Sequence, residues 1–196
     1  MTYEFTIKIS GLSEPSVWRR LVVPANYTFF QFHKIIQIAF GWENLHYFEF
    51  YDKNENTSVR IFMPLEEDTF HNDNARKENA IKTKLSDIFN KDTKSLLYLY
   101  DRNDRWIHEI TVEKVTEDVI PCPECLCGEG MCPPEGCDGP KGYEYIKNIL
   151  LNDPDNDNAP RLREWLFLED DDIFDPTYFP KEELKEINEY LHLFAK

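Results

Sequence analysis

The N-terminal segment Tyr3-Glu-Phe-Thr-Ile-Lys-Ile9 places apolar residues at 3, 5, 7 and 9 and polar ones between them. That period of two predicts a half-buried strand. Gly11–Pro15 reads as a turn, and Val17–Val23 as a second strand stopped by Pro24, giving an antiparallel pair. The period then changes. Phe32, Ile35, Ile36, Ala39 and Phe40 fall on one helical face. Thr28-x-x-Gln31 is a capping box, in which each side chain satisfies an orphan backbone donor, and Gly41 suits the C-terminal cap.

His46–Tyr51 and Ser58–Met63 read as the next two strands, joined by the turn-rich Asp52-Lys-Asn-Glu-Asn-Thr57. Glu66–Lys84 is polar and reads as a surface excursion, and Leu85–Phe89 as a short helix or turn. Leu96–Tyr100 and Trp106–Val115 form a predicted hairpin with Arg102–Arg105 at its tip. Pro121–Pro140 holds five Pro, four Gly and all five Cys, and is expected to lack regular structure. Helices are expected over Gly142–Leu151, Pro160–Phe167 and about Pro180–Phe194, with Leu184, Ile187, Leu191 and Phe194 as the last one's apolar stripe.

Short links between successive strands favour antiparallel pairing. The fold class is therefore α+β: a mostly antiparallel, curled, roll-like sheet with a ββαββ start, a long helix packed on it, and C-terminal helices. A ubiquitin-like β-grasp is the alternative. The chain reads as a single domain over 1–196, with a Cys/Pro-rich loop at 121–140 and a helical segment at 142–196.

Charge narrows the partners. Lys and Arg number 22 against 37 Asp and Glu, a formal charge of −15. Affinity for nucleic acid rests on Lys and Arg neutralising phosphates, so nucleic acid is disfavoured as a partner, and so is an acidic membrane surface. The adjacent Arg19 and Arg20 read as solvated strand residues. No apolar run reaches membrane-spanning length and the N-terminus alternates, so the expected location is the cytoplasm. Aromatics at 14% argue for a packed core.

The cysteines are spaced Cys122-x2-Cys125-x-Cys127-x4-Cys132-x4-Cys137. Cys122, Cys125, Cys132 and Cys137, with Cys127 as a substitute, can supply four thiolates to a structural zinc. Reduced thiols packed under a loop are the competing reading. Cys122-Pro-Glu-Cys125 is also a C-x-x-C, without the helix N-terminus that lowers a thiol pKa. A second group is polar and aromatic: His46, Glu49, Tyr100, Asp101, Asp104, Trp106, His108 and Glu135. His46, Phe48 and Phe50 share one strand face, as do Trp106, His108 and Ile110, so both histidines can point inward. His46, His108 and Glu135 are the candidates for acid–base chemistry, and Tyr100, Asp101, Asp104 and Trp106 for binding. His33 reads as a helix-surface or boundary residue, Trp18 and Trp42 as core, and Glu169–Asp172 as a solvated acidic stretch.

Four segments together resemble a known family. They are Pro15-Ser-Val-Trp-Arg-Arg20; His33 through Phe40-Gly-Trp42 to His46 and Phe48; Tyr98–His108; and Cys132-Pro-Pro-Glu135 to Gly142-Tyr143. In that order they resemble the plasmid pRiA4b ORF-3-like family, also labelled transposon passenger TnpR-like proteins. The resemblance implies an α+β domain of this size and no established activity. Tyr100-Asp-Arg-Asn-Asp104 stands where the family favours Tyr-Asp-Phe-Gly-Asp, and Cys132-Pro-Pro-Glu-Gly136 where it often has Cys-Pro-Pro-Glu-Asp. A serine recombinase needs an activated serine, arginines on the scissile phosphate and a basic DNA-binding module, and the residues supply none of these. The expected function is a non-enzymatic binding domain that receives a protein partner on its sheet face or an exposed edge. An enzyme using His46, His108 and nearby carboxylates is the alternative, and a recombination-associated protein a third.

Overall fold

The computed structural model describes residues 1–52, 59–64, 75–169 and 171–195. Its strands are β1 (Thr2–Ile9), β2 (Trp18–Pro24), β3 (Phe48–Tyr51), β4 (Val59–Phe62), β5 (Arg76–Asn79), β6 (Ser95–Tyr100), β7 (Trp106–Thr116) and β8 (Glu124–Glu129). Its helices are α1 (Phe29–Phe40), α2 (Leu85–Ile88), α3 (Gly139–Asn152), α4 (Ala159–Trp165) and α5 (Lys181–Phe194). The strands form one open eight-stranded sheet in the order β5-β4-β3-β6-β7-β1-β2-β8. All pairs are antiparallel except β4–β5, and the sheet does not close into a barrel. The fold is the expected α+β class; with eight strands and one parallel pair at its edge, the sheet is not a ubiquitin-like grasp.

Alternation places Phe5, Ile7 and Ile9 of β1 in the core with α1. Helix α1 begins as its sequence dictates. The Thr28 hydroxyl accepts from Gln31 N, Thr28 N donates to the Gln31 carboxamide, and Gly41 caps the C-terminus at φ 69°. Phe29, Phe32, Ile35, Ile36, Ala39 and Phe40 are buried. Phe32 stacks on Phe50, and Phe5 packs at a tilt against Phe32 and Phe89.

Four expectations are corrected. The 121–140 segment is partly regular: Glu124–Glu129 forms β8, paired antiparallel with β2. Its outer edge is covered by α5, where the Asn188 carboxamide accepts from Cys125 N and donates to Cys125 O. The polar excursion contains β5, which pairs parallel with β4; its first part, like most of the 52–57 link and Asp170 of the acidic stretch, lies outside the described residues. Arg19 is fully buried, because Arg19, Leu21 and Val23 share the inward face of β2, in line with Val17 just before it. His33 is fully buried too, stacked on Phe48 with ring centroids 3.7 Å apart.

Candidate functional site

The four segments named above meet at one end of the sheet. Trp42, just past the Gly41 cap, is the hub. Its indole stacks on Tyr100 at 5.2 Å, meets His108 edge-on at 5.2 Å, and lies 5.6 Å from Trp106. Its N–H donates to Pro133 O at 2.8 Å. Glu135, two residues on, accepts from the Tyr100 phenol at 2.5 Å and from Glu43 N at 2.8 Å. The Cys132-Pro-Pro-Glu segment is thereby clamped to both β6 and the link after α1.

Arg19 extends the cluster to the other side. It donates from Nε to Ala39 O and from its terminal nitrogens to Glu129 O and Gly130 O. Its guanidinium lies 3.8 Å from the Phe179 ring centroid and 3.5 Å from the Glu183 carboxylate. Gly128 sits directly beneath; a Cβ there would fall 2.7 Å from the Arg19 side chain. A single buried cation thus ties the end of α1 to β8 and to the α5 approach.

A closed ring of hydrogen bonds surrounds His33. The Tyr98 phenol lies 2.8 Å from His33 Nδ1, and His33 Nε2 meets the Asn44 side-chain oxygen. Asn44 N donates to the Gln37 oxygen at 3.0 Å, and the Gln37 nitrogen donates to the Tyr98 oxygen at 3.0 Å. A neutral ring with its proton on Nε2 satisfies all four contacts, Nε2–H donating to Asn44 and Nδ1 accepting from the Tyr98 phenol. Burial pushes the His33 pKa down to about 4, against the upward pull of Asn44. His108 is also fully buried. Neither of its nitrogens has a hydrogen-bond partner among the described residues. Burial pushes its pKa down to about 3, while the backbone of Tyr98 and Trp106 pulls upward. Burial first, then the bond to Glu135, pushes the Tyr100 phenol well up.

The Tyr100–Arg105 corner completes the site. Asp101 and Arg105 take left-handed backbone conformations, and Asp101 Oδ1 accepts from Asn103 N. Asp101 Oδ2 lies 3.5 Å from His46 Nδ1, and His46 stands outside the core with its ring edge-on to Tyr100. The inward orientation expected for His46 is therefore not adopted, because its strand begins only at Phe48. Burial and the neighbouring Asp101 and Asp138 raise the Asp104 pKa. Gly139, at φ 70°, lets α3 approach so closely that a Cβ would overlap the Asp104 carbonyl.

Glu135 also lies on a surface cleft of about 610 Å³ between the 135–138 loop, α3 and α4. Asp138, Tyr145, Asn158, Arg161 and Trp165 share its lining. Tyr145 and Trp165 are 50% and 39% exposed. Asp101, Asp104 and His46 sit on the corner beside this loop, whereas Glu49 is engaged at 3.3 Å with Arg60 on the other strand face.

The cysteines fall on different elements. Cys125 and Cys127 are on β8, Cys132 and Cys137 flank the Glu135 loop, and Cys122 precedes the strand. All are free thiols. Burial pushes Cys125 and Cys137 up to about 12 and raises Cys132 as well. Among the described residues no three His, Cys, Asp or Glu side chains are grouped so as to hold a metal ion. No helix among them is long and apolar enough to cross a membrane.

The sequence reading missed His33, Gln37, Asn44 and Arg19 as members of the site, and Tyr145, Arg161 and Trp165 as its cleft. A signal existed for two of them: His33, Gln37 and Phe40 follow i, i+4, i+7 spacing, a stripe beside the apolar one.

An open α+β sheet with a sealed aromatic–polar centre and a cleft on its flank defines a domain class rather than a reaction. The chain belongs to the plasmid pRiA4b ORF-3-like family, whose model matches residues 1–183. It is 35% identical over 153 residues to the uncharacterised protein y4hQ of Sinorhizobium fredii strain NGR234, covering 78% of this chain and 74% of that one. It resembles the crystal structure of MM3350, a protein of unknown function from Methanosarcina mazei Go1. That match has a TM-score of 0.74 and 33% identity, covering 93% of this chain and 96% of the other.

Proposed function

We propose that this chain is a non-enzymatic interaction domain whose partner protein seats in the Glu135 cleft. The observation that carries the reading is the state of four groups at the centre beside the cleft, while the exposed His46 is paired with Asp101. Glu135 is engaged through both oxygens, Tyr100 keeps its proton, and His33 and His108 are sealed and neutral. A general base must be free to accept a proton and lie within hydrogen-bond reach of the one it takes. What the cleft does offer is two half-exposed aromatic rings beside Arg161, a composition favoured at binding hot spots. Five free thiols support placement in a reducing cytoplasm.

The test is selection of peptides from a random library on the full chain, followed by calorimetry of the best binder. Trp165→Ala and Arg161→Glu should each weaken it at least tenfold. Binding indifferent to both variants, or any turnover abolished by Glu135→Gln, would overturn the reading.

A further inference from the structure

Strand β7 is longer than its neighbour on one side. It pairs with β1 from His108 to Thr116, but with β6 only from Trp106 to Thr111. The last contact on that side is Val112 N donating to Lys94 O at 2.8 Å. Glu113 is a bulge residue without a register partner on β1, and Lys114–Thr116 are paired on the β1 side alone among the described residues. A strand with an open side presents backbone donors and acceptors to any extended chain laid beside it.

The space beside this overhang is a groove of about 570 Å³. Tyr3, Phe89, Val112 and Val115 give it apolar lining. Tyr3 is held in place by its phenol, which donates to Phe89 O at 2.9 Å. Lys91, Lys94 and Lys114 also line the groove, against Glu113 as its one acid. Three cations on one groove run counter to the balance of a chain whose net charge is −15. Lys91, Lys94 and Lys114 are all exposed, so their charges reach whatever enters.

We infer that this groove receives an extended acidic segment of a partner protein, which adds as a strand antiparallel to β7 in line with β6. Main-chain bonds to the overhang supply the affinity common to strand addition. Alternate apolar side chains enter over Phe89 and Val112, and the acidic ones on the segment meet the three lysines. At about 3.3 Å per residue, three paired residues and the Glu113 bulge match a segment of about four to six residues. The site shares no residue with the Glu135 cleft, so it stands or falls independently of it.

The experiment uses the full chain and a fluorescent peptide, Glu-Val-Glu-Ile-Asp-Val, followed by polarisation. The expected results are saturable binding, a loss of at least tenfold in Lys91→Glu/Lys94→Glu, and a similar loss when salt rises from about 0.05 M to about 0.5 M. The same peptide N-methylated on alternate residues should not bind, because it lacks ladder donors. Amide exchange at Glu113–Thr116 should slow when the parent peptide is bound. Trp165→Ala should leave this binding unchanged. No binding at about 1 mM, equal binding of the N-methylated peptide, or indifference to the charge reversals would each overturn the inference. So would concentration-dependent self-association that occupies the groove.

Discussion

Tyr100 and Glu135, 35 residues apart in sequence, are joined by a 2.5 Å hydrogen bond from the phenol to the carboxylate. The bond holds the Cys132–Cys137 loop against the sheet. Tyr100→Phe removes one of the two donors that Glu135 accepts and also leaves Leu45 N without its acceptor, at a cost of about 1–2 kcal/mol. Glu135→Ala strands both the phenol and Glu43 N and costs about 2 kcal/mol. Guanidinium unfolding measures both, and a neutral Tyr100→Phe would mean that the clamp contributes nothing. The Tyr100 phenol is raised in the fold, so its contribution is complete below the unfolded value of about 10. It is lost as pH rises through the folded value.

Gly139 and Gly136 separate close approach from backbone conformation. Both have positive φ, but a Cβ at Gly136 meets nothing within 4 Å, whereas one at Gly139 would overlap the Asp104 carbonyl. Gly136→Ala should cost about 1 kcal/mol, the left-handed penalty alone. Gly139→Ala should cost at least about 2 kcal/mol more, because α3 must draw back from the 101–105 corner. Equal effects in thermal unfolding would remove the packing argument.

Arg19 should tolerate no replacement. Arg19→Met leaves the carbonyls of Ala39, Glu129 and Gly130 without their donor and should cost about 3 kcal/mol. Arg19→Lys cannot reproduce the planar fan of donors or its stacking on Phe179, and should recover less than half of that. Glu183 is 35% exposed, so Glu183→Gln should cost less than about 1 kcal/mol. A milder effect for Arg19→Met than for Glu183→Gln would contradict this ordering.

Much of the scaffold was legible because it follows period and punctuation. Thr28-x-x-Gln31 and Gly41 bracket α1 as written, and Phe5, Ile7 and Ile9 alternate into the core. β8 was not legible: Pro123 precedes and Gly128 interrupts a strand whose outer edge is completed by Asn188, 63 residues away from Cys125. β5, Arg-Lys-Glu-Asn, has no apolar period and exists through its parallel pairing with β4. Arg19 and His33 were misjudged because charge and polarity outweighed their positions. Each lies on an inward face and is satisfied by distant partners that no local window contains. Trp106 and His108 were placed correctly on one inward face, while the Tyr98–Gln37–Asn44 ring around His33 depends entirely on tertiary contact.

Thiol reactivity tests how the cysteine segment is built. Cys127 is exposed and should react first with an aromatic disulfide at about pH 8. Cys125 and Cys137, buried and raised to about 12, should react only on the timescale of unfolding. Mass mapping of the labelled chain gives the order. Early labelling of Cys125 would contradict the cover that α5 provides. Zinc added to the reduced chain should not alter the order unless four thiols rearrange to meet it.

The central claim is that Trp42, Tyr100, His33, His108 and Glu135 build a sealed centre beside the proposed binding cleft. Imidazole titration by nuclear magnetic resonance tests it directly. In the folded chain His33 should stay neutral down to about pH 4 and His108 down to about 3, against about 6.5 when unfolded. With both values depressed, their stabilisation is complete above about pH 6.5 and is lost as pH falls through the folded values. Each histidine adds up to about 1.4 kcal/mol per pH unit to that acid slope. Either ring protonating near pH 6.5 while the chain remains folded would contradict the account, because a group that exchanges protons there is open to acid–base work.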